Sequence, residues 1–203
     1  IIFLEYAVDT AQACREQGIN TVAVSAGFIT DEPREVFFNN IDAANIDLKS
    51  MDDNIYLKLN AGKLEPVLNT LRTMKDEGVW LEITNLVIPT WTDDMDMIKK
   101  MCDWLYDNDL HMYPLHFSRF SPLYKLTNLP QTPVFSLEQA RQTALQAGIK
   151  YVYIGNVPGH EGNHTYCPKC KKIVVERLGY YIKQNNISNS KCRFCNEKID
   201  GIW

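Results

Sequence analysis

Four of the six cysteines form two C-x-x-C pairs near the C-terminus, CPKC at 167–170 and CRFC at 192–195. Each pair makes a turn that lets two thiolates reach one ion, and two such turns create a tetrahedral site of the zinc-ribbon type. The intervening 21 residues can form a hairpin, with Gly179 available as a turn. Iron is the main competing metal, and redox dithiols are the alternative without a metal. The spacing predicts zinc held by Cys167, Cys170, Cys192 and Cys195.

A second chemical pattern is NIDLK at 45–49, which ends an apolar run. Alternate side chains share one face of a β-strand, so Asn45, Asp47 and Lys49 are expected to share a face opposite the apolar residues between them. Both faces of a parallel sheet are usually covered, and ligands bind at the carboxyl ends of its strands. On a parallel strand this polar row indicates a ligand site, with a purely structural Asp–Lys pair as the alternative.

Helical and strand patterns alternate along most of the chain, which predicts the sheet type. Strand patterns occur at NTVAVSAG, AANIDLK, VWLEITNLVIP, MYPLHFSRF and KYVYIGNV, with about five helices between and around them. Strands separated by helices of about ten to fifteen residues predict right-handed βαβ units and a parallel α/β sheet. The fold is then a doubly wound sheet or part of a β/α barrel.

Polar residues also end other predicted strands, namely Ser25, the Glu82/Thr84 face and the His116/Ser118 face. Hydroxyls that only fix loops would explain any one of them, but recurrence at several strand ends favours a site.

Two helix starts can be predicted from capping residues. Thr92 and Asp93 are expected to cap a helix that reaches Tyr106, and Ser136 with Gln139 is expected to form a capping box.

Charge is distributed unevenly over the 203 residues. From Cys167 onward there are eight Lys and Arg and three Asp and Glu, a net charge of +5. Because the whole chain has a net charge of −4, residues 1–166 have a net charge of −9. The acidic body argues against nucleic acid as its partner, whereas the basic tail leaves that option open for itself alone. There is no apolar run long enough to cross a membrane and no signal peptide, so a cytoplasmic protein without a membrane partner is expected.

The other candidate ligands are expected to be structural. Cys14 and Cys102 lie in helix-like stretches, where a buried thiol is the expected role. In GHEGNH, His160 and His164 are four residues apart, but two glycines among these six residues favour a connecting loop over a metal site.

Longer stretches support a resemblance to a family. NIDLKS, GVWLEITNLVIP, HFSRFSPLYKL, YVYIGNVPGHEGNHTYCPKC and the closing GIW together resemble the AmmeMemoRadiSam-system radical S-adenosylmethionine (SAM) enzymes, relatives of the pyruvate formate-lyase activating enzymes. The resemblance implies a partial radical SAM β/α barrel over residues 1–160 and a four-cysteine, zinc-ribbon-like module over residues 161–203. It also implies SAM and a [4Fe–4S] cluster as cofactors. The cluster reductively cleaves SAM to methionine and a 5′-deoxyadenosyl radical, which abstracts hydrogen from a substrate.

The resemblance also implies roles for individual residues. In the activating enzymes an Asp-x-Lys after the fourth barrel strand helps to hold the bound nucleotide, and Asp47 and Lys49 match it. Lys49 is expected to bind a carboxylate, and Asp47 an ammonium, a ribose or a bound cation. Glu82 and Thr84 are expected near ribose or substrate, and His116 near adenine or substrate.

Two matches are imperfect. The family tends to have Thr-Asn-Gly after the third barrel strand, where this chain has Ser25, Ala26 and Gly27, so the SAM contact expected from Ser25 lacks an amide. Thr90 stands where a glycine is common after the proline of the fifth strand.

The largest departure is the absence of the cluster-binding C-x-x-x-C-x-x-C motif. The family's Gly/Glu-Pro segment is also missing, and IIFLEY matches the helix just beyond it. We therefore expect the C-terminal part of an enzyme, with the cluster ligands outside this chain and no activity of the chain alone. Such a part would leave NTVAVSAG at an unpaired sheet edge.

The resemblance leaves the substrate open, either a protein or a small molecule. It implies an association with Memo-family and other AmmeMemoRadiSam-system proteins. The alternative function is a non-catalytic β/α scaffold that presents a zinc ribbon to a protein or a nucleic acid.

Overall fold

The computed structural model describes residues 3–203, so Ile1 and Ile2, which open the IIFLEY match, lie outside the described residues. Helices and strands alternate up to Gly155, as predicted. The elements are α1 (Leu4–Glu16), β1 (Val22–Ser25), α2 (Asp31–Phe38), β2 (Ala43–Asp47), α3 (Asp53–Ile55), a π-helical turn (Tyr56–Asn60), α4 (Leu64–Asp76), β3 (Trp80–Val87), α5 (Met95–Asp107), β4 (Leu115–Arg119), α6 (Val134–Gln146) and β5 (Val152–Gly155).

Strands β1 to β5 form one five-stranded parallel sheet in chain order. The predicted α/β fold with a parallel sheet is therefore confirmed. In the described residues β1 lies at the sheet edge, where Val22 is 67% and Val24 80% exposed. An apolar edge of this kind agrees with the expected unpaired strand.

The remaining described residues form a 3-10 turn and short antiparallel strands. These are the turn Glu161–Asn163, β6 (Thr165–Tyr166), β7 (Ile173–Leu178), β8 (Tyr181–Asn185), β9 (Ile187–Ser188) and β10 (Lys191–Cys192). β6, β7 and β8 form one sheet, and β9 pairs with β10. Gly179 adopts a φ of 57° in the turn between β7 and β8, as expected for a hairpin.

The chain divides into two compact units, one ending at Thr84 and the other comprising Asn85–Trp203. In the first unit, Phe38, Ile46, Leu71 and Leu81 are fully buried in the core. The predicted boundary between a partial barrel domain (residues 1–160) and a zinc-ribbon-like module (residues 161–203) remains a prediction.

The second unit has two apolar clusters. Ile98, Met101, Leu105 and Phe117 belong to its larger core. A smaller cluster gathers around the cysteine pairs, and its buried members are Tyr151, Cys167, Val174, Val175, Ile187, Cys192 and Ile199.

The predicted cap of α5 is wrong by one or two residues. The Asp94 carboxylate accepts hydrogen bonds from the backbone N–H groups of the first turn, at 2.8 and 3.0 Å. The Thr92 hydroxyl instead accepts from the N–H of Ile88 at 2.7 Å and donates to the carbonyl of Leu86 at 2.7 Å. Thr92 is thus used to close the turn after β3, which leaves the nearest acidic side chain to cap the helix.

The predicted capping box of α6 is also wrong. The helix begins at Val134, directly after Pro133, whose φ of −57° already suits a helix start. Ser136 and Gln139 consequently lie inside the helix.

Candidate metal centre and strand-end site

The four cysteines of the C-x-x-C pairs come together in the second unit. Their Sγ atoms all lie within 4.8 Å of one another. Cys167 and Cys195 are 3.6 Å apart, and Cys170 and Cys192 are 3.8 Å apart. Four thiol donors in so small a volume suit a tetrahedral zinc or iron ion, so the residues present fit a metal centre.

Two nearly identical turns position these thiols. In the first knuckle (residues 167–172) the N–H of Cys167 donates to the carbonyl of Lys172, and Lys171 has a φ of 61°. In the second knuckle (residues 192–197) the N–H of Cys192 donates to the carbonyl of Glu197, and Asn196 has a φ of 62°. In each knuckle the residue after the second cysteine adopts the left-handed conformation. Each half of the site is therefore built by its own local sequence.

The surroundings of the thiols differ in polarity. Burial raises the pKa of Cys167 to about 12, whereas the backbone N–H of Lys172 lowers the pKa of Cys170 to about 7. The N–H of Phe194 also donates to the Cys192 Sγ at 3.4 Å. Backbone N–H groups aimed at sulfur stabilise thiolates, the form in which cysteine binds metals.

The knuckles are anchored to the residues just before β5. The Tyr151 hydroxyl accepts a hydrogen bond from the N–H of Asp200 at 2.9 Å, and the Asp200 carboxylate pairs with Lys150 at 3.2 Å. In the C-terminal GIW, the Trp203 Nε1–H donates to the carbonyl of Ile199 at 3.1 Å.

The remaining cysteines and the histidines of GHEGNH lie outside the centre. Cys102 is buried in α5, as expected, whereas Cys14 in α1 is only half-buried. His160 accepts from the N–H of Gly162 at 2.9 Å, and His164 accepts from the N–H of Arg177 at 3.2 Å. Among residues 3–203, the four cysteines are the one group placed to hold a metal ion.

The polar row of residues 45–49 lies in the first unit, where it is half-buried as β2 ends. The Lys49 Nζ pairs with the Asp47 Oδ2 at 2.6 Å, and the two side chains are 28% and 31% exposed. Leu48 between them is fully buried on the other face. An ion pair open to solvent on one side remains accessible to a charged ligand.

Neighbouring β3 extends this row. Asn45 lies beside Glu82 and Asp47 beside Thr84 in the parallel register. The Thr84 hydroxyl donates to the Asn45 side-chain oxygen at 2.9 Å. Asp47, Lys49, Glu82 and Thr84 therefore share the half-buried face that the sequence predicted.

Tyr56 supports this row, and sequence reasoning missed it. Its hydroxyl oxygen accepts the backbone N–H of Lys49 at 3.0 Å, and its side chain is only 3% exposed. Burial raises the pKa of Tyr56 to about 12, which keeps the phenol neutral. The contact depends on the π-helical turn at Tyr56–Asn60, a turn that no capping residue or periodicity announces.

Ser25 is placed differently from the other candidates. Its register partner on β2 is Ile46, so its side chain lies on the face opposite Asp47. The Ser25 hydroxyl accepts the N–H of Gly27 at 3.1 Å. A Cβ on Gly27, whose φ is 68°, would lie 2.7 Å from the Ile46 side chain. The close packing of this loop against β2 explains the glycine.

His116 lies in the second unit. It stacks on its register partner Tyr153, with ring centroids 4.9 Å apart and an angle of 18°. The Arg177 guanidinium lies 5.7 Å from the Tyr153 ring and donates to the Thr165 hydroxyl at 2.7 Å. Arg177 comes from the hairpin far along the chain, and no spacing in the sequence predicted this contact.

Thr90 occupies a position that suits glycine. Its φ is 66°, in the left-handed region that β-branched residues rarely adopt. The backbone after β3 therefore keeps a conformation that glycine would adopt without strain.

Comparison with known proteins identifies relatives of this chain. No family model matches. An uncharacterized protein of Methanocaldococcus jannaschii is 43% identical over 201 residues, which are 98% of this chain and 60% of that protein. The chain thus spans less than two thirds of that relative. The pyruvate formate-lyase 1-activating enzyme of Escherichia coli is 24% identical over 169 residues, covering 75% of this chain and 67% of the enzyme.

The fold leads to the same proteins. A domain of the pyruvate formate-lyase activating enzyme from Bacteroides vulgatus superposes with a TM-score of 0.66 at 20% identity, covering 76% of this chain and 92% of that domain. None of the helices in the described residues is both long and apolar enough to cross a membrane. Sequence and fold together relate the chain to the pyruvate formate-lyase activating enzymes, which are radical SAM proteins.

Proposed function

We propose that this chain is the C-terminal portion of a radical SAM enzyme of the activating-enzyme type. When bound, the [4Fe–4S] cluster supplies the electron that cleaves SAM to a 5′-deoxyadenosyl radical. The cluster ligands lie outside this chain, because its cysteines form one four-thiol group and two single thiols on separate helices. The chain alone is therefore inactive.

The observation that supports this proposal is the Asp47–Lys49 pair on the half-buried face of β2. SAM combines an ammonium, a carboxylate, a sulfonium and a ribose, so its binding needs both signs of charge on rigid backbone. Lys49 binds the carboxylate, and Asp47 binds the ammonium, the ribose or a bound cation. Because rigid strand ends hold both side chains, their contacts with SAM fix the position of its reacting carbon.

Other polar residues have more peripheral roles. Glu82 and Thr84 contact ribose or substrate, since they share the face of Asp47. His116 binds near adenine or substrate from β4. Ser25 acts only through the loop that its hydroxyl stabilises, because its side chain lies on the opposite face of the sheet.

A direct test uses the full-length protein that contains this chain. After anaerobic reconstitution with iron and sulfide, a strong reductant and SAM are added, and 5′-deoxyadenosine is measured. The full-length protein forms the product and the 203-residue chain does not. Absence of product from the fully reconstituted full-length protein contradicts the proposal, as does product from this chain alone.

We further propose that the four-cysteine centre binds one structural zinc ion. A closed four-thiolate site leaves no open position for chemistry, and the small cluster around it has few apolar residues to hold it together. Elemental analysis of the purified chain should give about one zinc per molecule. Iron in place of zinc, or four free thiols in metal-replete protein, contradicts this assignment.

In our proposal the substrate is a protein or a small molecule, and the enzyme associates with Memo-family and other AmmeMemoRadiSam-system proteins. The alternative function is a non-catalytic β/α scaffold that presents a zinc ribbon to a protein or a nucleic acid, and the basic charge of the tail supports it. An upstream C-x-x-x-C-x-x-C motif in the full-length protein distinguishes the enzyme from the scaffold.

A further inference from the structure

The four-cysteine module (residues 161–203) carries cations that its own carboxylates leave unneutralised. Beyond Cys167 its three acidic residues are already paired: Glu197 with Lys169, Glu176 with Lys183, and Asp200 with Lys198 and Lys150. Lys171, Lys172, Lys191 and Arg193 are exposed and have no carboxylate partner within residues 3–203. Together with Arg177, which bonds to hydroxyl and carbonyl oxygens, these four residues account for the net charge of +5 in the tail.

Two of these cations, Lys172 and Arg193, lie beside an exposed aromatic ring. Phe194 is 47% exposed on the second knuckle, and the Lys172 Nζ of the first knuckle lies 4.8 Å from its ring centroid. Arg193 is its chain neighbour. The two knuckles therefore present a flat apolar ring framed by positive charge.

An open groove adjoins the ring. Its volume is about 580 Å³, and it is lined by Ser188, Asn189, Lys191, Arg193, Phe194 and Asn196 together with the cysteines Cys192 and Cys195 of the metal centre. Amide, hydroxyl and cationic groups dominate this lining, and Phe194 is its one aromatic member. An occupant that satisfies all of them is anionic, rich in hydrogen-bonding groups and flat.

We propose that this surface binds single-stranded nucleic acid, with a base stacked on Phe194 and backbone phosphates held by Lys172, Lys191 and Arg193. Stacking on an aromatic platform within a cationic groove is how proteins bind single strands with little sequence preference. An acidic peptide would match the charge, but it would leave the ring without a planar partner. The acidic body repels the same polymer, so the strand is confined to the module.

The test measures binding of a fluorescent 12-nucleotide single-stranded RNA and its DNA counterpart to the metal-loaded chain. A duplex of equal length and an acidic peptide of equal charge serve as competing probes. The single strands bind most tightly, and the RNA and DNA arms reveal whether the sugar matters. Tighter binding of the acidic peptide, or no binding of either strand at low salt, overturns the proposal.

Variants locate the binding surface. Phe194→Leu keeps an apolar side chain and weakens binding about five- to hundredfold, whereas Phe194→Trp preserves it. Lys191→Gln weakens binding and reduces the salt dependence by about 0.7 in the log–log slope expected for one phosphate contact on a single strand. Lys183→Gln removes the same charge from the Glu176 pair elsewhere on the module and is the matched control.

Metal content is measured for every variant, so that a loss of folding is distinguished from a loss of contact. Equal effects of Lys191→Gln and Lys183→Gln, together with no effect of Phe194→Leu, indicate diffuse charge attraction and overturn the proposal. This inference is independent of SAM chemistry, so either proposal can fail without the other.

Discussion

The four-cysteine centre and the Asp47–Lys49 site are built in opposite ways. Each knuckle of the metal centre is a six-residue turn with its own backbone hydrogen bonds, and the two turns are nearly superimposable in pattern. The strand-end site instead needs β2, its neighbour β3 and the buried Tyr56 from a later turn. The first is encoded locally, and the second exists only once the sheet has formed.

This difference separates what stabilises each site from what each site does. In our proposal, metal ligation holds together a tail with a small apolar core, so structure there depends on the thiolates. The strand-end pair is half-exposed, and an ion pair of that kind adds little to stability. Mutations at the centre should therefore unfold part of the protein, whereas mutations at the strand end should alter binding.

The largest effect is expected for Cys192→Ser. Loss of one thiolate releases the metal and unfolds residues beyond Thr165, while β1 to β4 stay folded. Because Tyr151 packs in the module's cluster, protection is also lost just before β5. Hydrogen exchange with metal analysis measures both effects. Cys14→Ser, which alters a cysteine outside the centre, should change neither, and global unfolding by Cys192→Ser would contradict a locally encoded module.

A smaller effect is expected from Gly27→Ala, which tests how rigidly the body holds its strand ends. The added Cβ meets the Ile46 side chain at 2.7 Å with φ at +68°, so strain and overpacking should cost about 2–4 kcal/mol of unfolding free energy. Gly18→Ala has a φ of +69° and open space, and should cost only about 1 kcal/mol. Denaturant titration of both variants measures the difference, and equal costs would show that Gly27 is not closely packed.

The buried thiol of Cys102, which lies outside the metal centre, should make the stability of the fold depend on pH. Burial raises the pKa of Cys102 from 9.0 to about 12, so its protonated form stabilises the fold fully below pH 9. That stability is lost as pH rises from 9 towards 12, with a slope of about 1.4 kcal/mol per pH unit. Cys102→Ala should flatten this decline by the same amount.

Unfolding free energies between about pH 8 and 11 measure the slope. Burial also raises the pKa of Tyr56, but Tyr56 is present in both proteins. Its contribution to the slope therefore cancels when the two proteins are compared. An unchanged slope in Cys102→Ala would show that the thiol is not desolvated.

Spacing and periodicity predicted the local features well. The two C-x-x-C pairs, the Gly179 hairpin and the sheet of five strands all depend on residues close in sequence. The predicted cap of α5 was wrong because the Thr92 hydroxyl donates to the carbonyl of Leu86 instead. That carbonyl comes within reach only after the chain has turned at the end of β3.

Tertiary contacts escaped prediction for a related reason. The phenol of Tyr56 reaches Lys49 through a π-helical turn, and Arg177 reaches Tyr153 from a distant hairpin. Ser25 lay at the predicted strand end, but the register turned its side chain to the other face. Such facts depend on register and packing, which propensity does not encode.

The most direct test of the central claim is SAM affinity of the full-length protein with Lys49→Ala or Asp47→Ala, measured anaerobically with the cluster in place. Loss of one charge-assisted contact should weaken binding about ten- to hundredfold, with little change in melting temperature. Lys58→Ala, which removes an exposed lysine from the nearby π-helical turn, is the matched control and should bind normally. Normal SAM binding by both site variants together with a markedly lower melting temperature would show that the Asp47–Lys49 pair is structural.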